Sequence, residues 1–241
     1  MGKNCIMEVA KASPERLVQV YTSQKNNSDP LLVLLKEKGV ISRFVPKRNL
    51  SDMVESDSHQ GFVAEIKEKN NPTVKEFLAN SSSDDPSLVL MLDSIYDPQN
   101  LGAIIRAAEC FGVDLVVFSR NRGTDITAVV TKASVGASEL IPIAKVSNLN
   151  ETVKAFQKEG FWAVTAEGGP TSQSLYEFEF PQKTLLIMGS EGKGVQPILS
   201  KTSDFHVEIP MKGQIDSLNV SQATSVLLSS YYSSKRCSPN F

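Results

Sequence analysis

Residues 88–118 read LVLMLDSIYDPQNLGAIIRAAECFGVDLVVF, and they decide the fold class. The apolar runs LVLML and VDLVVF have the length and composition of buried strands. Between them, Asp97 followed by Pro98 is typical of a helix start. A buried helical stripe follows at Leu101, Ile104, Ile105 and Ala108. A strand, a helix and a further strand in this order predict parallel pairing.

The same alternation continues towards the end of the chain. Later apolar runs are FWAVT, TLLIM and FHVEI, and amphipathic stretches such as ETVKAFQKEG lie between strands. Continuous apolar strands separated by helices are typical of a parallel sheet with both faces covered. We therefore predict an α/β domain over residues 87–241, whose ligands bind beyond the carboxyl ends of its strands.

A smaller α/β unit is predicted over residues 1–70. It comprises predicted strands from Arg16 (RLVQVYTS), Ser42 (SRFVPK) and Gly61 (GFVAEIK), and a predicted helix from Leu31 that ends near Gly39. Residues 71–86 have Asn/Pro and Ser/Asp clusters around a short helical piece, which is the composition of a linker. The chain is thus predicted to have two domains.

The overall composition is that of an ordinary globular protein, with 41% hydrophobic and 22% charged residues. No segment approaches the roughly 18 apolar residues of a membrane span, and the N-terminal stretch lacks the apolar core of a signal peptide. We therefore expect a cytoplasmic protein with no membrane anchor. Cys5, Cys110 and Cys237 are widely spaced and odd in number, so we expect reduced thiols and no metal site.

The net charge of −2 counts somewhat against nucleic-acid binding, because the whole-molecule field does not attract a polyanion. Any contact with RNA must therefore come from a local patch. The candidates in the first domain are Lys36, Lys38, Arg43, Lys47 and Arg48. An ordinary solvated surface explains these five side chains equally well.

Two segments place polar residues or glycines directly after an apolar strand. The first, residues 92–113, carries Asn100 and Arg106, although spacing alone favours an ordinary solvated arginine. The second, GSEGKG at residues 189–194, offers Glu191 as an acceptor at a strand end. A P-loop is excluded because that motif needs four residues between its first glycine and Gly-Lys. A tight solvent turn remains an equally good explanation.

A third segment of this kind spans residues 207–228, VEIPMKGQIDSLNVSQATSVLL. A strand is predicted to end at Pro210, and a helix is predicted to open near Ser217 after a polar loop. Taken alone, this Asp-Ser and Asn-x-Ser cluster is better explained by simple helix capping.

Together the three segments resemble the SpoU-type 2′-O-ribose methyltransferases of the SPOUT superfamily. The family's N-x-G segment with a following arginine is met by Asn100, Gly102 and Arg106, and its G-[SA]-E-G-x-G turn by residues 189–194. Its I-P-M…S-L-N-V-S segment is met by Ile209, Pro210, Met211 and Ser217 to Ser221. KASVGASELIPI from Lys132 is similar to a further family segment. His59-Gln60-Gly61 matches the end of the L30e-like substrate-binding domain of rRNA-directed members.

The resemblance implies a parallel α/β sheet tied into a trefoil knot, which is a rare exception to unknotted topology, preceded by a small α/β L30e-like domain. It implies S-adenosylmethionine as cofactor, held by Gly189, Ile209 and Leu218. Arg106 would be the catalytic arginine, and Asn100, Glu191, Ser217 and Asn219 would position it, the nucleotide and the knot loops. It also implies a homodimer with the catalytic site at the interface.

The function implied is an RNA 2′-O-ribose methyltransferase that acts on structured RNA, with a guanosine of large-subunit rRNA as the leading substrate. A tRNA ribose methyltransferase is the alternative within this class. A non-catalytic RNA-binding or ribosome-assembly protein on the same fold is the alternative from another class. The presence of Asn100, Arg106, Glu191 and Asn219 argues against the non-catalytic alternative.

Overall fold

The computed structural model describes residues 2–25, 28–82 and 85–236, so that Cys237 lies outside the described residues. The helices are α1 (Lys3–Ala12), α2 (Pro30–Glu37), α3 (Lys47–Val54), α4 (Val74–Asn80), α5 (Pro98–Cys110), α6 (Ala128–Ala133), α7 (Leu149–Lys158), α8 (Pro197–Thr202) and α9 (Val220–Arg236), with 3-10 turns at Pro14–Arg16 and Ala137–Glu139. The strands are β1 (Leu17–Thr22), β2 (Ser42–Phe44), β3 (Phe62–Ile66), β4 (Ser87–Leu92), β5 (Leu115–Ser119), β6 (Ile143–Val146), β7 (Trp162–Ala166), β8 (Gln173–Ser174), β9 (Lys183–Met188) and β10 (Phe205–Glu208).

The chain divides into two compact units. Unit 1 contains the chain up to Asn70 together with Ile126–Leu140, and unit 2 contains Asn71–Asp125 and the chain from Ile141 onward. By their contacts, residues 71–80 of the predicted linker thus belong to unit 2, where Phe77 of α4 packs 6.2 Å from the ring of Phe156. Residues 126–140, which we assigned to the larger domain, belong to unit 1.

Unit 1 is built on a three-stranded sheet in the order β2-β1-β3, in which β1 is parallel to β2 and antiparallel to β3. Ile6, Val9, Leu31, Leu35 and Phe62 are fully buried in its core. The three predicted strands and the predicted helix of this unit are confirmed. Sequence analysis missed α1 and α3, neither of which has a side-chain hydrogen bond at its N-cap.

Polar contacts join the segment 126–140 to the rest of unit 1. Arg16 forms an ion pair with Glu139 at 2.7 Å, and these side chains are only 12% and 15% exposed. The Sγ of Cys5 donates to the carbonyl of Thr131 at 3.4 Å. Because Arg16 also donates to the carbonyl of Lys67 at 3.1 Å, this arginine fastens two separate stretches of chain.

Unit 2 contains a seven-stranded sheet in the order β6-β5-β4-β9-β7-β10-β8, and every neighbouring pair in it is parallel. All six residues of β9 are buried, as expected for a central strand covered on both faces. The predicted parallel sheet is confirmed, and so is the helix start at Asp97, whose side chain accepts from the backbone N–H of Gln99. Among the described residues, no helix is long and apolar enough to cross a membrane.

Candidate active site

Two of the residues predicted to form the site lie directly after strands of unit 2, since Gly189 follows β9 and Ile209 follows β10. Asp93, which was not among the predicted residues, follows β4 in the same way. Because the strands are all parallel, these positions lie along one edge of the sheet, where ligands of such sheets bind.

The turn after β9 is closed by its own backbone. The N–H of Ser190 donates to the carbonyl of Gly194 at 3.0 Å, and the N–H of Gly194 returns a bond of 2.9 Å to Ser190. A Cβ on Gly189 would lie 2.1 Å from the carbonyl carbon of Gly194, so no side chain fits there. Gly192 and Gly194 have φ values of +78° and +63°, which L residues rarely adopt. The glycines therefore fix the place of Glu191, which lies exposed between them.

Three polar side chains from distant segments meet beside this turn. The Nδ2 of Asn219 donates to Oε1 of Glu191 at 2.5 Å and to Oδ1 of Asn100 at 3.0 Å. The Nδ2 of Asn100 donates to the same Oε1 of Glu191 at 3.1 Å. We call Asn100, Glu191 and Asn219 the amide–carboxylate cluster. The structure thus brings together three of the residues that sequence analysis selected.

Asn219 also caps α9. Its Oδ1 accepts from the backbone N–H of Ser221 at 2.9 Å, which is the usual bond of an N-cap asparagine. The helix therefore begins at Val220, and the predicted start near Ser217 was three residues early. Ser217 is exposed, and its hydroxyl donates to Asp216 at 3.2 Å. Through Asn219, the N-terminus of α9 is coupled to the position of Glu191.

A cavity of about 310 Å³ opens on the cluster. Its lining residues are Ser94, Ile95, Tyr96, Asp97, Asn100, Ser190, Glu191, Lys193 and Val220. They come from the loop after β4, the first turn of α5, the turn after β9 and the first residue of α9. The cavity is of a size that small ligands and nucleotides occupy.

Asp93 holds in place the segment that follows the turn after β9, and sequence analysis missed this residue. It is fully buried, and its two carboxylate oxygens accept from the backbone and side-chain nitrogens of Gln196 at 2.8 and 2.6 Å. Gln196 lies two residues after Gly194, where the turn after β9 ends, and its side-chain oxygen accepts from Arg122. A buried carboxylate is costly without such partners, so Asp93 holds the exit of the turn in place. The signal in the sequence was an aspartate directly after an apolar strand.

Arg106 and Leu218 do not join the cluster. Arg106 is exposed on α5, and within the described ranges no hydrogen bond or ion pair was found for it. It lies six residues after Asn100, which on a helix means about 9 Å along the axis and about 120° around it. Leu218 is 38% exposed in the loop before α9.

The part of the chain that the structure describes contains no group of three or more His, Cys, Asp or Glu side chains that could hold a metal ion.

Comparison with known proteins identifies the family. Residues 87–229 match the SpoU rRNA Methylase family, and residues 1–72 match the family described as RNA 2'-O ribose methyltransferase substrate binding. The first match covers more than half of the chain. This chain therefore belongs to the SpoU rRNA methylase family, as its three motif segments indicated.

Two relatives are named 23S rRNA (guanosine-2'-O-)-methyltransferase. The protein of Pasteurella multocida is 34% identical over 234 residues, and that of Photobacterium profundum is 32% identical over 230 residues; each alignment covers 94% of both chains. Two solved structures share the fold. The SpoU methyltransferase AviRb from Streptomyces viridochromogenes, in complex with AdoMet, aligns with a TM-score of 0.75 at 19% identity over 98% of this chain and 90% of that chain. The AdoMet-bound rRNA methyltransferase from Sinorhizobium meliloti aligns with a TM-score of 0.75 at 21% identity over 98% and 85%. The predicted α/β methyltransferase fold is confirmed, and the knot remains what the family resemblance implies.

Proposed function

We propose that this chain transfers a methyl group from S-adenosylmethionine to the ribose 2′-hydroxyl of a guanosine in 23S rRNA. The observation that carries the proposal is the amide–carboxylate cluster, set in a cavity at the carboxyl edge of the parallel sheet. Family membership supports the reaction class, and the names of the relatives support the substrate. Such a substrate would place its action in the cytoplasm.

Gly189, Ile209 and Leu218 are the proposed cofactor contacts. The turn at Gly189 and the loop that starts at Ile209 both leave the carboxyl edge of the sheet. In that loop Met211, Ile215 and Leu218 are 38%, 77% and 38% exposed, which is apolar surface that a bound adenosyl group would cover. When bound, S-adenosylmethionine supplies an electrophilic methyl group on its sulfonium.

The cluster would orient the target ribose. Within the described residues, both amide donors reach Oε1 of Glu191, and its Oε2 is then the oxygen that accepts from a ribose hydroxyl. Methyl transfer needs the 2′-oxygen in line with the methyl group, and a position error of about 1 Å is costly in rate. Asn100 and Asn219 therefore act as positioning residues, because they fix the carboxylate that touches the nucleotide. Ser217 is separated from Asn219 by one residue, and we propose that it helps to position the loop before α9.

Arg106 is proposed to bind a phosphate and to stabilise negative charge that develops on the ribose oxygen. A guanidinium stays protonated in proteins, so it does not serve as the base. The proton would leave to the target's own phosphate or to water. Because Arg106 lies on a different face of α5 from Asn100, we propose that the chain forms a homodimer in which Arg106 completes the site of the partner.

Mixing two inactive variants tests this arrangement. Arg106→Ala and Asn219→Ala subunits should regain activity together, since a mixed dimer contains one site with both native residues. With random exchange of subunits in a two-fold dimer, about a quarter of the sites would be complete. If the two variants remain inactive after mixing while sedimentation shows that they exchange, Arg106 acts within its own chain.

Unit 1 is proposed to bind the RNA. Its five candidates, Lys36, Lys38, Arg43, Lys47 and Arg48, are all exposed. Ile41 and Phe44 are exposed among them, at 66% and 54%, and Phe44 belongs to the edge strand β2. Basic groups that bind phosphates, next to an aromatic ring that stacks on a base, are the usual parts of a surface for single-stranded RNA.

The test is methyl transfer from labelled S-adenosylmethionine to transcribed 23S rRNA and, in parallel, to transcribed tRNA, each with and without a chelator. We expect transfer to one guanosine 2′-hydroxyl of 23S rRNA and no effect of the chelator. Transfer to tRNA alone would replace the proposed substrate. RNA binding without any transfer would favour a non-catalytic assembly protein.

A further inference from the structure

We infer that Tyr96 and Lys193 receive the target nucleotide in the cavity, with the ring of Tyr96 stacked on its unstacked base and Lys193 on a neighbouring phosphate. This inference rests on the proposed function and adds to it that the target base must leave its helical stack. Both side chains line the same cavity as Asn100 and Glu191. The ribose, base and phosphate of one nucleotide would thereby each have a separate contact.

Tyr96 offers a large aromatic surface at this cavity, since it is 66% exposed. Single exposed aromatic side chains are common and need no explanation by themselves. Tyr96 differs from such cases because it lines a cavity that is also lined by the carboxylate of Glu191 and the amide of Asn100. An aromatic face stacks on any base, and unstacked bases in RNA are commonly bound in this way.

The backbone around Tyr96 is held on both sides, although its side chain is exposed. On one side, Ile95 is 5% exposed and its carbonyl accepts from the N–H of Thr124 at 2.8 Å. The carbonyl oxygen of Ile95 would lie only 2.6 Å from a Cβ on Gly123, so this contact requires glycine. On the other side, Asp97 caps α5. The ring therefore projects from a fixed support, and less conformational entropy is lost when a base stacks on it.

Lys193 supplies positive charge to a cavity that also contains two carboxylates. Asp97 is engaged as a helix cap, and Glu191 is engaged by the two amides. Lys193 is exposed and lies in the turn that Ser190 and Gly194 close. It is the cation among the residues lining the cavity, and a lysine on a fixed turn is a suitable phosphate contact.

Variants at Tyr96 separate stacking on the RNA from the other roles that the ring could have. In single-turnover transfer to 23S rRNA, we expect Tyr96→Ala to lower kcat/KM about 10- to 100-fold, the loss typical of one base–aromatic stack. Tyr96→Phe should stay within about twofold of the wild type, because stacking needs the ring and not the hydroxyl. Tyr176→Ala is the matched control, since Tyr176 is 74% exposed in the same unit and does not line the cavity. S-adenosylmethionine affinity should be unchanged in all three.

An RNA that lacks only the target base makes the test specific. On this abasic RNA, wild type and Tyr96→Ala should transfer at the same rate, because the partner of the ring is gone. A persistent difference, or a loss of cofactor affinity in Tyr96→Ala, would mean that the ring supports the loop or stacks on the cofactor, and would overturn the inference. Equal rates of wild type and Tyr96→Ala on intact RNA would also overturn it, while the proposed function would stand. If the wild type itself transfers no methyl group to 23S rRNA, both fall.

Lys193 is tested by the salt dependence of RNA binding. Lys193→Gln should reduce the slope of log affinity against log salt by about 1, as expected for the loss of one phosphate contact. Lys201→Gln, at an exposed position on α8, is the control and should leave the slope unchanged. An unchanged slope in Lys193→Gln would remove the phosphate contact from the inference.

Discussion

Asn219 performs two tasks that substitutions can separate. Its Oδ1 caps α9, and its Nδ2 links Glu191 and Asn100. Asn219→Ala removes both functions, whereas Asn219→Ser keeps a side-chain oxygen that caps a helix about as well as asparagine does. Loss of the cap lowers the free energy of unfolding by about 1 kcal/mol, and loss of each hydrogen bond in the exposed cluster lowers it by at most about 0.5–1.5 kcal/mol. We therefore expect the alanine variant to be less stable than the serine variant by about 1 kcal/mol.

The rate of methyl transfer should depend on the side-chain amide nitrogen of Asn219 and not on its capping oxygen. Both variants release the carboxylate of Glu191 from the 2.5 Å bond that holds it, so both should lose about 10²-fold in single-turnover rate through misplacement of the ribose. Urea unfolding measures the stability, and labelled methyl transfer at saturating RNA measures the rate. Near-native turnover of Asn219→Ser, together with loss in Asn219→Ala, would show that the helix cap alone matters and would refute the positioning role.

Three further predictions concern other residues. Arg106→Ala should lower methyl transfer about 10²- to 10³-fold with nearly unchanged cofactor affinity in calorimetry, and Arg106→Lys should rescue little, since an ammonium lacks the planar fork; near-native turnover would make Arg106 an ordinary surface residue. Phe44→Ala should weaken binding of 23S rRNA about 10-fold in a filter assay, whereas Met53→Ala, at a 48% exposed position of the same unit, should not; equal effects would argue against stacking. Burial lowers the pKa of Lys69 to about 8, although the nearby charge of Glu139 raises it. As the pH rises, the folded protein therefore loses this proton before the unfolded chain does. The free energy of unfolding should then rise with pH from about 8 towards 10.4. NMR of labelled lysine should give this midpoint, and Glu139→Gln should lower it; a midpoint near the ordinary lysine value would contradict the burial of Lys69.

The sequence predicted those elements whose local signals agree with their burial. The helix α5 has an N-cap at Asp97, a proline at its first position and a buried stripe, and it was found in its place. The helix α1 buries Cys5, Ile6, Val9 and Ala10 but begins after Gly2 without a side-chain cap, and it was missed. At α9, the candidate caps Asp216, Ser217 and Asn219 stand close together in the sequence. Asn219 is distinguished by the bond that its Oδ1 accepts from the N–H of Ser221 and by its tertiary bonds to Glu191 and Asn100.

The motif residues of the candidate site could be selected from the sequence, whereas the residue that supports them could not. Asn100, Glu191 and Asn219 were selected by family resemblance, while their contact depends on parallel pairing that brings distant segments to one edge. Asp93 could not be selected in this way, because its importance comes from complete burial against Gln196. The different helix face of Arg106 likewise follows from the geometry of α5.

The chain passes between its two compact units three times, after Asn70, after Asp125 and after Leu140. Dissecting the gene at a single point therefore cannot yield two self-sufficient halves. A fragment starting at residue 87 would still carry 126–140, but Glu139 would lack Arg16, and the carbonyl of Thr131 would lack the thiol of Cys5. That orphaned stretch would expose the apolar side chains of Val130 and Ala137, and aggregation of the fragment would then be mistaken for loss of RNA recognition.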